Sequence, residues 1–157
     1  SMMLIKNAQI TQDNWNYLIE DRPLQSTNNI VNLDYWQTNK EALISSGKPV
    51  GLRLGGDENP DSFIADLMHF SLIAIEIPCF TDGRAYSLAK ILRETNHFKG
   101  EIRAVGDILP DQAQYLNRVG FDALELPNEE SANLALKKLS EFSVFYQSTF
   151  VSTKETG

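Results

Sequence analysis

The sequence predicts an α/β protein: a parallel sheet assembled from consecutive βα units, preceded by a small N-terminal β-element and helix. Two observations carry this reading. From Pro49 onward, short apolar runs alternate with longer segments whose apolar residues recur at helical spacing. The run Leu72-Ile73-Ala74-Ile75-Glu76-Ile77 is also too uniformly apolar for a strand with one wet face, so it reads as a central strand covered on both sides. Strands joined through single helices on short connections pair in parallel, with right-handed crossovers.

Each element has its local cause. Val50-Gly51-Leu52-Arg53-Leu54 reads as a strand, and Gly55 to Asn59 as a turn. Asn59 caps a predicted helix with Pro60 at its first position and Phe63, Ile64, Leu67 and Phe70 inward. After the Leu72 strand, a helix runs from Gly83 to Thr95, with Gly100 as a stop. Glu101-Ile102-Arg103-Ala104-Val105 is the third strand, and Pro110-Asp111-Gln112 opens a helix that Gly120 ends. Phe121 to Leu126 is the fourth strand. Asn128 caps a helix with Glu129 and Glu130 in its first turn, where the helix dipole favours negative charge. Ser143 to Tyr146 is expected to be a fifth, edge strand.

The first third is less regular. Leu4-Ile5 and Tyr17-Leu18-Ile19 read as short strands, Ser26-Thr27-Asn28-Asn29 as loop, and Asp34 as the cap of a helix bearing Trp36, Leu43 and Ile44. Together these give one α/β domain over 1–157: an N-terminal part (1–48), a βα core (49–147) and a loose tail (151–157). Two architectures fit the core. One is an open doubly wound sheet. The other is a half-barrel-like arc with all helices outside, whose concave face needs covering by the N-terminal element or by a second copy in a homodimer. Polar Arg103 and Asp122 within strands favour the arc mildly, yet the open sheet is preferred.

Composition narrows the function. The net charge is −7, and the basic residues, among them Lys40, Lys48, Arg53, Lys90 and Arg118, form no stripe, which argues against nucleic acid. No apolar run approaches the roughly 18 residues of a membrane span. Cys79 is the single cysteine, so an internal disulfide and a cysteine-rich metal site are excluded, and the chain reads as cytoplasmic. With no activating partner in view, Cys79 reads as a packing residue rather than a nucleophile. His69 and His97 lie apart at two helix ends, and neither a dinucleotide fingerprint nor a phosphate loop is present. Neither metal nor cofactor is expected.

The carboxyl ends of parallel strands share one rim, and the turns there are where α/β proteins place their chemistry. Glu76, Thr81, Asp82, Gly83, Arg84, Asp107 and Glu125 fall on or near that rim, and Arg103, further back, has the length to reach it. Carboxylates beside guanidinium groups suit a small anion or acid–base chemistry. The plainer reading has Asp82 capping its helix, Gly83 making the turn, and the arginines pairing with Glu76 or Asp107.

The segments Ile75-Glu76-Ile77-Pro78-Cys79-Phe80-Thr81-Asp82-Gly83-Arg84-Ala85-Tyr86-Ser87, Gly100-Glu101-Ile102-Arg103-Ala104-Val105-Gly106-Asp107-Ile108-Leu109 and Gly120-Phe121-Asp122-Ala123-Leu124-Glu125-Leu126 resemble a bacterial family, domain of unknown function 934. Members carry the label of an oxidoreductase involved in sulfite reduction. The matching residues are Phe80, Thr81, Asp82, Gly83, Arg84, Arg103, Gly106, Asp107, Gln112, Gly120 and Phe121. The resemblance implies a pathway, because the family's gene commonly neighbours that of the sulfite reductase haemoprotein, but it brings no established catalytic residues. The expectation is an accessory protein of assimilatory sulfite reduction that binds sulfite reductase or a small anionic metabolite. The alternative is a small pathway enzyme using Arg84 and Arg103 for the oxyanion and Asp82 or Asp107 as acid–base group.

Overall fold

A computed structural model describes residues 2–19, 22–78 and 83–149, the stretch 142–149 by its backbone alone. Strands β1 (Met3–Lys6), β2 (Gln9–Thr11), β3 (Asn16–Tyr17), β4 (Asn29–Asn32), β5 (Val50–Gly55), β6 (Leu72–Ile77), β7 (Glu101–Gly106) and β8 (Ala123–Leu126) form one sheet. Their spatial order is β2-β1-β8-β7-β6-β5-β4-β3. From β3 to β8 every neighbouring pair is parallel. The β1–β2 hairpin adds antiparallel strands beyond β8. Four α-helices follow β4, β6, β7 and β8: α1 (Leu33–Ser45), α2 (Arg84–Lys90), α3 (Ala113–Val119) and α4 (Glu129–Thr149).

This order overturns the preferred open sheet and establishes the arc. A doubly wound sheet needs a reversal of strand order to put helices on both faces. Here each crossover steps the same way, so right-handed connections stack every helix on one face. Side-chain alternation agrees. Val31, Leu52, Ile73, Ile75, Ile102, Ala104 and Leu124 share one core with Trp36, Leu88, Leu116 and Ala135 of the helices. Ile30, Leu72, Ala74 and Val105 point the other way and are packed by Trp15 and Tyr17. The expectation that β6 is covered on both faces therefore holds.

Chain length fixes the curl. The edge strands β2 and β3 stand seven inter-strand spacings apart, which on a flat sheet is about 34 Å. The link from Thr11 to Asn16 spans at most about 18 Å when fully extended. The sheet therefore bends until its edges approach, and residues 12–15 cross the hollow as a strap.

Local departures from expectation have physical causes. The span 60–70 forms two 3₁₀ segments, Pro60–Ser62 and Ile64–His69, because Phe63 (φ −142°) breaks the helical path while its ring turns into the core. Asn59 does cap the first, accepting from the Asp61 amide. Asn32, not Asp34, caps α1, accepting from the Tyr35 amide. The predicted edge strand at 143–146 is instead part of α4. The loose tail expected at 151–157 lies outside the described residues. Asn29 opens β4 rather than a loop, so the N-terminal third is a further βα unit of the same sheet. Residues Ile91–Thr95 continue α2 as a π turn, held where Arg93 donates to the carbonyls of Phe98, Gly100 and Gly120 and pairs with Asp122.

Trp36, fully buried, donates its indole N–H to Asp66 at 2.8 Å, and Lys40 reaches the same carboxylate oxygen at 2.9 Å. The indole hydrogen bond, then Lys40, hold the Asp66 carboxyl below its ordinary range. A depressed folded-state value stabilises the protein above the unfolded carboxyl's pKa of about 4, and that part is lost as pH falls through the folded value. Asp66→Asn should cost about 1 kcal/mol at pH 7 and flatten the decline of stability below about pH 4, read by urea unfolding at both pH values. An unchanged acid limb would remove Asp66 as its source.

Candidate functional site

Strand alternation carries Glu101, Arg103 and Val105 of β7, and Ala123 and Glu125 of β8, onto the concave face. Arg103 has no exposed surface. Its Nε donates to Glu101 Oε2 at 2.8 Å, its Nη1 to Glu125 Oε2 at 3.0 Å, and its Nη1 and Nη2 to the two oxygens of Asp13 at 2.9 and 3.2 Å. Lys6 of β1 reaches the other oxygen of Glu101 at 3.1 Å. The Tyr17 hydroxyl, from the far edge of the sheet, donates to Glu125 at 2.5 Å. Two cations thus face three carboxylates, leaving one net negative charge.

Each protonation state follows from the surroundings. Burial, reinforced by the Glu125 carboxylate, pushes the Tyr17 hydroxyl far up, so it stays protonated. Burial alone would lower the Arg103 pKa, but the Asp13 hydrogen bonds and the Glu101 charge more than offset it. The guanidinium stays charged and uses both its Nη groups and its Nε on carboxylates. Chemically this is an internal brace. The expectation that Arg103 reaches the rim is corrected: its side chain turns into the hollow, where three carboxylates meet it. Glu125, also expected near the rim, is its partner inside. Asp122 contributes nothing to the concave face. It pairs with Arg93 at 3.2 Å and accepts from the Ile102 amide at 2.7 Å. Burial raises its pKa.

The rim gathers the others. Ile77 and Gly106 pair at the ends of β6 and β7, and the Asp107 amide donates to the Ile77 carbonyl at 3.2 Å. Gly106 sits at φ +100°, where a Cβ would stand 2.8 Å from that same carbonyl oxygen, so the turn needs glycine. Gly83 (φ +93°) occupies the N-cap position of α2, and Arg84 is the first helical residue. Thr81 and Asp82, like Cys79 and Phe80, lie outside the described residues. Glu76, half exposed, faces Arg53 of β5 at 3.8 Å, and the Arg53 guanidinium lies over the Tyr17 ring at 5.2 Å from its centroid.

Sequence reasoning missed Asp13, Tyr17, Lys6 and Glu101 as members of the cluster. Glu101 and Arg103 had a signal, charges two apart on a central strand, which marks a polar inner face. Asp13 and Tyr17 had none, since only the curl brings them over β7 and β8. Among the described residues no set of His, Cys, Asp and Glu is grouped as metal ligands, and no helix is long and apolar enough to cross a membrane.

Removing the guanidinium would strand carboxylates in the hollow. Arg103→Ala should therefore cost about 3–5 kcal/mol in urea unfolding, and Tyr17→Phe about 1 kcal/mol. A loss below about 1 kcal/mol for Arg103→Ala would show that the brace does not hold the fold.

No curated protein matches the chain. The model of a family described as "Bacterial protein of unknown function (DUF934)" matches residues 51–156, which include β6, β7, β8, Gly83-Arg84 and the Gly106 turn. Covering more than half of the sequence, that match shows that the chain belongs to the DUF934 family.

Proposed function

We propose that this protein serves assimilatory sulfite reduction as an accessory that binds the sulfite reductase haemoprotein through the carboxyl-terminal rim of its parallel sheet. The observation that carries the reading is convergence. The segments resembling the family most closely, around Gly83-Arg84 and Gly106-Asp107, are distant in sequence yet open what comes after β6 and after β7, two strands whose carboxyl ends pair at Ile77 and Gly106. Next to them stand the half-exposed Glu76–Arg53 pair and Leu109, 62 % exposed three residues beyond β7. Charge together with exposed apolar surface suits a protein partner. The pathway comes from the resemblance alone, through the neighbouring reductase gene.

The interior supports binding over catalysis. Arg103 is saturated by carboxylates, and the half-buried Tyr17 is held protonated, so neither is poised to exchange protons near neutral pH.

Sedimentation of the purified protein with sulfite reductase should show a complex. Glu76→Lys and Leu109→Asp should each weaken it about tenfold or more, the loss of about 1.4 kcal/mol expected of a contributing contact. Both residues are exposed, so the melting temperature should hold. Binding unaffected by either change would place the interface elsewhere. No complex, with sulfite turnover by the isolated chain, would favour the alternative of a small enzyme acting on an oxyanion.

A further inference from the structure

The three carboxylates around Arg103 are not equivalent. Glu101 and Glu125 belong to β7 and β8, are buried, and are fixed by the strand ladders. Asp13 belongs to the strap between β2 and β3, and its side chain is a third exposed. It takes the outer fork of the guanidinium, Nη1 and Nη2, the edge that matches a planar carboxylate. Asp13 is thus the one anion of the cluster that can leave without breaking the sheet.

We infer that Asp13 is a built-in stand-in for a small free carboxylate, which binds Arg103 in its place and lifts the strap from the concave face. The chemistry of the ligand follows from the charge count. A monoanion replacing Asp13 keeps the cluster at one net negative charge. A dianion such as sulfate would add a second beside Glu101 and Glu125, at low dielectric, and is rejected. Planarity with two coplanar oxygens follows from the fork. The strap is an intramolecular competitor whose effective concentration is in the millimolar range for a short link, so displacement requires millimolar carboxylate. The hollow thereby becomes a sensor of a small carboxylate metabolite, an inference independent of which protein binds the rim.

Trp15 reports the strap, because it packs on Ile30, Leu72, Ala74 and Val105, whereas Trp36 belongs to α1 and is fully buried in the core on the other face of the sheet. Titrating the intact protein with acetate or formate should red-shift tryptophan emission saturably, while sodium chloride and sulfate at equal ionic strength leave it unchanged. In Asp13→Asn, calorimetry should give acetate half-saturation at least about tenfold lower, since the internal competitor is gone. Equal responses to acetate and chloride would reduce the effect to screening, and an equal response to sulfate would remove the monoanion selection; either overturns the inference. Acetate binding by Asp13→Asn with no response of the unmodified protein would also overturn it, as rescue of a damaged cluster. Should Asp13→Asn fail to fold, hydrogen exchange of the unmodified protein decides. Amides 12–18 should exchange faster in acetate than in chloride, and equal protection would refute the displacement.

Discussion

A guanidinium carried on a central strand into the hollow of a curled sheet costs several kcal/mol unless carboxylates meet it there. Arg103 is met by three, drawn from a strap, from its own strand and from the neighbouring one. That requirement links parts of the molecule that share no sequence proximity. Asp13 must cross the hollow, so the edges of the sheet must approach, and Tyr17 then arrives opposite Glu125. The strap in turn lays Trp15 over the apolar patch of β4, β6 and β7, which would otherwise be wet. The covering that an arc needs is thus supplied within the chain.

The two ends of the sheet are built differently. At the amino ends of β7 and β8, Arg93 gathers the carbonyls of Phe98, Gly100 and Gly120 and the Asp122 carboxylate, so one side chain ties the π turn to the starts of two strands. At the carboxyl ends, glycines in left-handed conformations, Gly83 and Gly106, make the turns, and half-exposed charges face outward. A clamped base beneath a charged rim is an arrangement suited to recognition.

The βα core was legible because its cause is local. Apolar runs, Asn59, Gly120 and Asn128 each act within a few residues, and the strands near 50, 72, 101 and 121 appear where periodicity puts them. The choice between open sheet and arc was not, because it depends on which way successive crossovers step, and no residue encodes that by itself. Arg103 and Glu125 were singled out but placed on the rim, since their partners Asp13 and Tyr17 are visible only once the sheet is bent. Ser143 to Tyr146 has the composition of a strand, and α4 overrides it by propagating from the Asn128 cap.

The antiparallel pairing of β1 with β8 joins Met3 to Leu126 and Lys6 to Ala123. Synthesis makes one of these partners well before the other, with five strands of the sheet between them in sequence other than the hairpin's own β2. The β1–β2 hairpin has no β8 to pair with until the intervening βα units have followed it, and contacts of such separation are slow to close. Through that interval β1 presents an unpaired edge, and Ile5, destined for the core, stands in water. The last strand of the barrel-like arc is therefore also the step that commits the first, and a nascent chain halted before residue 123 would hold a hairpin with nothing to join.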